Sequence, residues 1–531
     1  MEGIVLMPTL NWLGKDKVIN HHQDVPFRVL DYRYSHGKEN TGNMIIHGDN
    51  LDALKTLLPQ YEGRIKCVYI DPPYNTGNEG WVYNDNVNGP KIRKWLGEVV
   101  GKEGEDLSRH DKWLCMMYPR LMLLQRLLSD NGVIFISIDA TEMPMLKIIC
   151  DEIFGIANYV DTISWFKKAS PSNDAKYFSN DIEYMVVYAK NKSVWKPKRI
   201  ALNERQMKYY TNPDNDPRGS WNSATYTCNK SKSERPNLYY PIKNPNTGED
   251  IWPKETAVWA YAKNVCEEHV NNNLLYWGVD GTAKFPRFKK FLSDHQGVVN
   301  RTLWHYDDVG HTQGATNEIK KIFGEAKIFD TPKPSTLIER IIKVATDPED
   351  IILDSFAGSG TTAHAVFNAN KTDKGNRKFI LVEMMDYAET ITAERVRRVI
   401  DGYGDNPAIE SGFNYYELGE PLLLPDGNLN ENIPNQKIYE YIWYTETKTA
   451  YNSHDNYYLG TTSNTAYFFY YEKGQVTILD TDFLRTHVIQ ETGATQAEQY
   501  VIYADVCAFD DGDLERFNII FKKIPRDISK I

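Results

Sequence analysis

The sequence predicts an α/β protein: a doubly wound, mostly parallel sheet, interrupted by an insert of different character and followed by a β-rich region. Three observations carry that prediction. Apolar runs of strand length, such as Ile65–Ile70, Gly132–Asp139, Ile351–Leu353 and Lys378–Val382, alternate with stretches of helical period. Two of these runs end in loops of distinctive composition, Asp71-Pro72-Pro73-Tyr74 and Asp354-Ser355-Phe356-Ala357-Gly358-Ser359-Gly360. The alternation lapses near residue 191 and resumes near 326. In open α/β sheets ligands collect at the carboxyl ends of strands, which directs attention to these two loops.

In chain order, residues 1–40 are polar and irregular and read as an arm. Residues 41–190 alternate strands with helices. Pro119 to Leu128 is amphipathic, with Pro119 suited to a first helical turn. Tyr184-Met185-Val186-Val187-Tyr188 completes the first half of the sheet. Residues 191–325 break into turns such as Asn212-Pro213, Asn244-Pro245 and Asn246-Thr247-Gly248. Residues 326–403 resume the α/β pattern and end in a helix over about 388–400. A turn-rich linker from Asp401 leads to a β-rich domain, 411–531, with strands expected at Ile438–Tyr444, Ala466–Tyr471, Val476–Leu479, Tyr500–Ala504 and Phe517–Phe521.

The first loop has the groups to hold an exocyclic amine. An aromatic amine has its lone pair delocalised into the ring and is a poor nucleophile. A carboxylate, Asp71, accepting one N–H and the Pro72 carbonyl accepting the other would draw the nitrogen towards tetrahedral geometry and free the lone pair. Pro72 and Pro73 fix φ and pre-place both acceptors. Tyr74 offers a flat face for a base, worth about 1–3 kcal/mol per stacked base. A bare proline turn after a buried strand is the plainer reading of such a tetrapeptide; the second loop weighs against it.

Small residues in the second loop let a ligand approach the backbone, and a helix opening at Thr361 faces that ligand with free N–H groups. Gly360 is followed by Thr361 and not by the Lys of a phosphate-binding loop, which disfavours ATP. The next strand ends in Glu383, 29 residues after Asp354, where an acidic side chain can accept the hydroxyls of a ribose.

These segments resemble the amino-methyltransferases that use S-adenosylmethionine. The order of the motifs, with the Asp-Pro-Pro-Tyr element before the Gly-rich one, resembles that of the β group of DNA methyltransferases. Ile46-His47-Gly48-Asp49-Asn50-Leu51-Asp52-Ala53-Leu54 resembles the family's strand end beside the cofactor adenine. Arg109-His110-Asp111-Lys112-Trp113 through Arg120 resembles the helix after the catalytic loop. Phe329-Asp330-Thr331-Pro332-Lys333-Pro334 resembles the cofactor motif preceding the Gly-rich loop. The length, the Asn75-Thr76-Gly77 extension and the long insert are most similar to modification subunits of type III restriction–modification systems.

The resemblance implies a Rossmann-like methyltransferase domain (41–190 and 326–403), a target-recognition domain (191–325) and a C-terminal domain serving subunit contacts. It implies catalysis by Asp71, Pro72, Pro73 and Tyr74 on adenine N6. The cofactor would be held by Asp49, Asn50, Lys333, Pro334, Asp354, Phe356, Ala357, Gly358, Ser359, Gly360, Thr361 and Glu383, with no metal. Double-stranded DNA, a second copy of the chain and an ATP-dependent restriction subunit are the expected partners. A cytosine-N4 or RNA methyltransferase on the same fold, or a DNA-reading subunit with weak catalysis, would carry similar loops.

Composition agrees with such an enzyme. At 531 residues, several domains are expected. Six scattered cysteines without metal-ligand spacing suit a reducing compartment. No signal-peptide pattern or membrane-spanning apolar run is evident, so a cytoplasmic location is expected. The net charge of −11 is unevenly spread: residues 161–325 hold 24 Lys+Arg against 19 Asp+Glu, and residues 411–531 hold 9 against 18. Phosphate affinity depends on local clusters, and the insert contains two, Lys192/Lys196/Lys198/Arg199 and Lys284/Arg287/Lys289/Lys290. They are interleaved with aromatics such as Tyr209, Trp221 and Tyr239, a mixture suited to anchoring phosphates and reading base edges.

Overall fold

The structure, a computed structural model, describes residues 9–76, 90–99, 109–171, 176–325, 328–454, 456–492 and 497–529. The chain divides into two compact units, one of residues 1–198 with 301–531 and one of residues 199–300.

The first unit is built on a ten-stranded sheet. In chain order its strands are β1 (Arg28–Gly37), β2 (Met44–His47), β3 (Ile65–Ile70), β4 (Leu128–Ile138), β5 (Tyr159–Phe166), β6 (Ile182–Ala189), β7 (Leu303–His305), β8 (Ile351–Asp354), β9 (Lys378–Glu383) and β10 (Gly412–Pro421). The spatial order is β1-β10-β2-β9-β8-β3-β4-β6-β5-β7. The run from β10 to β4 is parallel, while β1 and β6 oppose it.

The helices are α1 (Asn50–Tyr61), α2 (Arg109–Leu127), α3 (Met143–Phe154), α4 (Thr312–Phe323), α5 (Ser335–Ala345), α6 (Thr361–Asp373), α7 (Glu394–Asp401) and α8 (Asn435–Thr447). Alternate strand residues feed two cores, as the pleat requires. Ile46, Val68, Ile70, Ile134 and Ile136 meet the apolar faces of α1, α2 and α3. Ile45, Cys67, Tyr69, Val133 and Phe135 meet those of α5, α6 and α7.

Strands β8 and β3 are neighbours, with Ile352 opposite Cys67 and Leu353 opposite Val68. After β3 the chain runs through α2 to β4 on one side, and after β8 it runs through α6 to β9 on the other. The two loops singled out in the sequence therefore leave the sheet side by side where the winding reverses, the place where a crevice opens in such sheets.

Several sequence expectations are corrected. Within the supposed arm 1–40, Arg28–Gly37 forms β1, paired antiparallel with β10 at the sheet edge. β10 itself lies in the span assigned to the C-terminal domain. Only contacts distant in sequence reveal either strand. Ile438–Tyr444 is helical and part of α8: Ile438, Tyr441 and Ile442 are buried at helical spacing, although Ile/Tyr-rich runs also suit strands. Pro119 lies inside α2 and not in a first turn. It is flanked by buried Tyr118 and Arg120, and packing on both sides outweighs the lost backbone bond. The compact insert is narrower than 191–325, because β7 pairs with β5 and α4 packs on α7.

Beyond α8, a four-stranded sheet comprises β11 (Tyr458–Thr462), β12 (Thr465–Phe469), β13 (Gln499–Ala504) and β14 (Ile519–Lys523). Its β12-β13-β14 run is parallel, and Ala466, Phe468, Ile502 and Ala504 enter its own core.

The second unit is a small mixed fold around Tyr226, Tyr240, Trp259 and Trp277. In it, Lys289 is buried against Asp214 at 2.5 Å and Asp216 at 2.9 Å. That lysine was expected among the phosphate-binding cations. In the strand Arg287–Phe291, Lys289 and Phe291 are buried while Arg287, at the strand end, and Lys290 are exposed, so packing removes Lys289 from the basic cluster.

Candidate active site

The loop after β3 is held from beneath. Asp71, Tyr74, Glu183 on β6 and Lys333 just before α5 form one buried cluster. The Lys333 ammonium lies 2.6 Å from Asp71 Oδ2 and 3.1 Å from Glu183 Oε1. It also sits 5.0 Å from the centre of the Tyr74 ring, a cation–π contact. The Tyr74 hydroxyl lies 2.7 Å from Asp71 Oδ1 and within hydrogen-bond reach of Glu183 Oε1. Lys167, at the end of β5, reaches Glu183 Oε2 at 3.2 Å. Burial pushes the Asp71 carboxyl above the usual carboxylate range, against the pull of Lys333.

The rest of the loop is braced by α2. Trp113 Nε1 donates to the Pro73 carbonyl at 2.6 Å. Asn75, fully buried with φ +58°, donates to the Arg109 carbonyl at 3.2 Å and to Glu142, and accepts from Arg109 Nε at 2.8 Å. Gly77 lies outside the described residues. The acceptors of the loop are thus fixed before any ligand arrives.

The loop after β8 turns on Gly358 (φ +52°) and Gly360 (φ +78°), a region unfavourable for other residues. A Cβ at Gly360 would lie 2.9 Å from the Thr392 carbonyl oxygen. Glu383 at the end of β9 accepts from Gly358 N–H at 2.8 Å and from Met385 N–H at 2.9 Å. Asp354 accepts from Phe356 N–H at 3.0 Å and from the Thr362 hydroxyl at 2.5 Å. Burial pushes its carboxyl up to about 7. Ser359 and Thr361 accept from buried Arg395, at 2.9 and 2.7 Å, and Arg395 is paired with Glu318 on α4 at 3.0 Å. Phe356 and Ala357 are largely buried. The Ser355 hydroxyl is buried with no hydrogen-bond partner among the described residues.

Past the ends of β2 and β9 opens a cleft of about 750 Å³, lined by His47, Gly48, Asp49, Asp52, Met384 and Asp386 among others. Asp49 caps α1 by accepting from Leu51 N–H at 2.8 Å and lies 3.6 Å from Arg120. Asn50 is buried and ties helix α2 to the loop after β8, accepting from Arg120 Nε at 2.6 Å and donating to the Ser355 carbonyl at 3.0 Å.

The structure therefore brings the sequence-derived residues together in two groups. Asp71, Pro72, Pro73 and Tyr74 stand beside the Gly-rich loop, and Asp49 lines the cleft, whereas Glu383 is buried next to the cleft residue Met384. Lys333 joins the Asp71 group and not the cleft, while Pro334 precedes the first turn of α5. Glu183, Lys167, Glu142 and Arg395 escaped the sequence reading, and Asn75 entered it only as part of the extension after Tyr74. A charged residue within the apolar strand Ile182–Ala189 was the available signal for Glu183, since a strand buried on both faces tolerates charge only when paired. Among the described residues no group of three or more His, Cys, Asp or Glu side chains is placed to hold a metal ion.

Residues 65–394 match the family model of the DNA methylases. Among curated proteins, the chain is 33% identical over 443 residues to the type III restriction–modification enzyme StyLTI Mod subunit of Salmonella typhimurium, covering 78% of this chain and 66% of that protein. It is 32% identical over 417 residues to the EcoPI Mod subunit of Escherichia phage P1, covering 71% of this chain and 63% of the relative. It is 33% identical over 362 residues to the type II methyltransferase M.KpnI of Klebsiella pneumoniae, covering 65% and 81%. The chain thus spans a little under two thirds of the length of the Mod subunits it matches.

Proposed function

The chain belongs to the DNA methylase family, and from that premise we propose that it transfers a methyl group from S-adenosylmethionine to N6 of an adenine flipped out of double-stranded DNA. We assign it the modification and recognition role of a type III restriction–modification system, following the Mod subunits it resembles. The observation that carries this reading is the meeting of two loops at the reversal of the sheet. One presents Asp71 and the Pro72 carbonyl to an amine, and the other offers a glycine-lined backbone.

The residues around the second loop fit the cofactor. Gly358 and Gly360 leave room for close approach, the Ser355 hydroxyl has no partner among the described residues, and Asp49 places a carboxylate along the cleft, with Glu383 buried against the Gly358 amide. Bound there, S-adenosylmethionine supplies a methyl group on an already activated sulfonium, so no nucleophilic side chain is required. The protein's task is alignment of the amine with that methyl group. Asp71 and the Pro72 carbonyl accept the two N–H groups of the amine, and Tyr74 supports the base. A base inside a duplex is out of reach, so flipping at a cost of a few kcal/mol is part of the reaction.

Residues 199–300 would read the DNA sequence. Lys284, Arg287 and Lys290 and exposed aromatics such as Tyr209 and Trp252 are the candidate contacts. The acidic balance of 411–531 would repel phosphates, which favours contacts with proteins there: a second copy of the chain and an ATP-dependent restriction subunit. Light scattering of the chain and pull-down of the restriction subunit test these partners.

Sequencing of modified bases in DNA from cells expressing the chain is the decisive experiment. N6-methyladenine confined to one recognition sequence is expected. Methyl groups on cytosine N4, on RNA only, or nowhere would overturn the proposal.

A further inference from the structure

Tyr74 touches two carboxylates at once. Its hydroxyl lies 2.7 Å from Asp71 Oδ1 and also within hydrogen-bond reach of Glu183 Oε1. A hydroxyl carries one hydrogen and can donate to only one of them. The other contact is attractive only if that carboxyl itself holds a proton and donates to the Tyr74 oxygen. Asp71, Tyr74 and Glu183 are therefore built to share a proton. It can pass between the two acids by two short hops through the hydroxyl, with no movement of heavy atoms.

The surrounding charges give the path a direction. Lys333 contacts both acids, at 2.6 and 3.1 Å, and hardly distinguishes them. Of the two acids Lys167 contacts only Glu183; its side chain is 19% exposed, against 6% for Glu183 and 12% for Asp71, so an outlet at Lys167 serves Glu183 and lies apart from the Asp71 oxygens that the amine would cover. The other ionisable groups facing the trio are Tyr69 on β3, Asp139 after β4 and Asp354 at the end of β8. Burial raises the Asp71 carboxyl; burial acts on Glu183 in the same sense, but the ammonium groups of Lys333 and Lys167 outweigh it.

We propose that Tyr74 and Glu183 form a relay that carries away the proton released by the methylated amine. The inference rests on the proposed amine methylation. Transfer breaks the donor's carbon–sulfur bond and forms a nitrogen–carbon bond, and it leaves the amine nitrogen with one proton too many. That proton passes to Asp71 Oδ1. The proton already shared by the trio then sits on Glu183, which discharges it to water at the Lys167 edge. Asp71 next gives its proton to the Tyr74 oxygen as Tyr74 gives its own hydrogen to Glu183 Oε1, which restores the single shared proton. Tyr74 thus has a second task besides supporting the base, and Glu183, on the third strand after the loop it serves and 109 positions from Tyr74, is its partner.

The test compares Tyr74→Phe, which removes only the hydroxyl, with Glu183→Gln and the double variant. Single-turnover methylation of a duplex should slow about tenfold or more at neutral pH in each single variant and recover as pH rises, because hydroxide replaces the relay. The double variant should be no slower than the slower single one, as expected of residues acting as a unit. Cofactor affinity and the fluorescence of a flipped base analogue should stay within about twofold of the parent, since neither reports proton transfer. In the target-free protein, infrared difference spectra of the parent against Asp71→Asn and against Glu183→Gln should each contain a protonated carboxyl band, because removing either acid abolishes the sharing. Tyr74→Phe at the parent rate, multiplicative losses in the double variant, or difference spectra without that band would overturn the relay. A parent chain that does not methylate DNA would instead overturn the function on which the relay rests.

Discussion

Lys333 and Asp71, separated by 262 positions in the chain, meet in a 2.6 Å ion pair beneath the loop that follows β3. Lys333 comes from the segment just ahead of the Gly-rich loop, and its carbonyl accepts from Thr361 of that loop at 3.4 Å. One short stretch of chain thus fixes the carboxylate that would receive the amine and touches the loop that would hold the cofactor. Burial of the pair makes the geometry stiff. It also makes removal of Lys333 costly, because Asp71 would be left as a buried charge without its cation, whereas Lys333 keeps Glu183 if Asp71 is removed.

Asp71→Ala is expected to abolish methylation, by at least about a hundredfold, while cofactor and DNA binding stay largely intact. Glu183 remains to neutralise Lys333, which limits the structural cost. Calorimetric titration with the cofactor beside a turnover assay checks this. Turnover within a few-fold of the parent would remove Asp71 from the mechanism.

Tyr74 separates stacking from proton handling. Tyr74→Ala should weaken the flipped state by about 1–3 kcal/mol, whereas Tyr74→Phe should preserve it. A fluorescent analogue at the target position reports the flipped population, and equal losses in both variants would show that the ring face does not support the base.

Gly358→Val and Glu383→Ala should each weaken S-adenosylmethionine binding. The first places a branched side chain at φ +52°, where the backbone is strained for any L residue. The second removes the acceptor that now ties the Gly358 amide to β9 at 2.8 Å. Unchanged affinity in both variants would place the cofactor elsewhere.

The Asp354 carboxyl has a definite pH signature. Its value rises from an ordinary 3.8 to about 7 through burial, so its contribution favours the fold at low pH and is lost as pH climbs through about 7. Relative to Asp354→Asn, the parent should lose stability between about pH 4 and pH 7, by up to about 4 kcal/mol at 1.36 kcal/mol per pH unit. Denaturant melts of both proteins across that range give the difference directly. A flat difference would mean that the Thr362 and Phe356 hydrogen bonds keep the carboxylate ionised throughout.

Exchanging residues 199–300 for the matching unit of a relative should change the methylated sequence and leave the chemistry on adenine N6. The boundaries are those of the compact unit and spare β7 and α4, which belong to the sheet. Retention of the original recognition sequence after exchange would remove that unit from DNA reading.

The sequence by itself determined the central sheet and the two loops at its crest. Local signals suffice there: apolar runs of strand length, prolines that fix φ, glycines that admit close approach, and an acid at the next strand end. Tertiary structure alone decided which charges meet. Glu183 sits in an unremarkable strand until β6 inserts antiparallel between β4 and β5 and brings it against Tyr74. Lys333 reads as part of a cofactor motif until folding carries it to Asp71. The edge strand β1 exists because it pairs with β10, which is itself held by β2, and α8 is a helix because Ile438, Tyr441 and Ile442 find a core. Lys289 shows the same limit from the opposite side: a cation in a basic run is a surface charge only if the fold leaves it exposed, and here packing buries it against Asp214 and Asp216. Propensity and motif act over a few residues, whereas the partner of a buried charge is set by chain-distant packing, which no local pattern records.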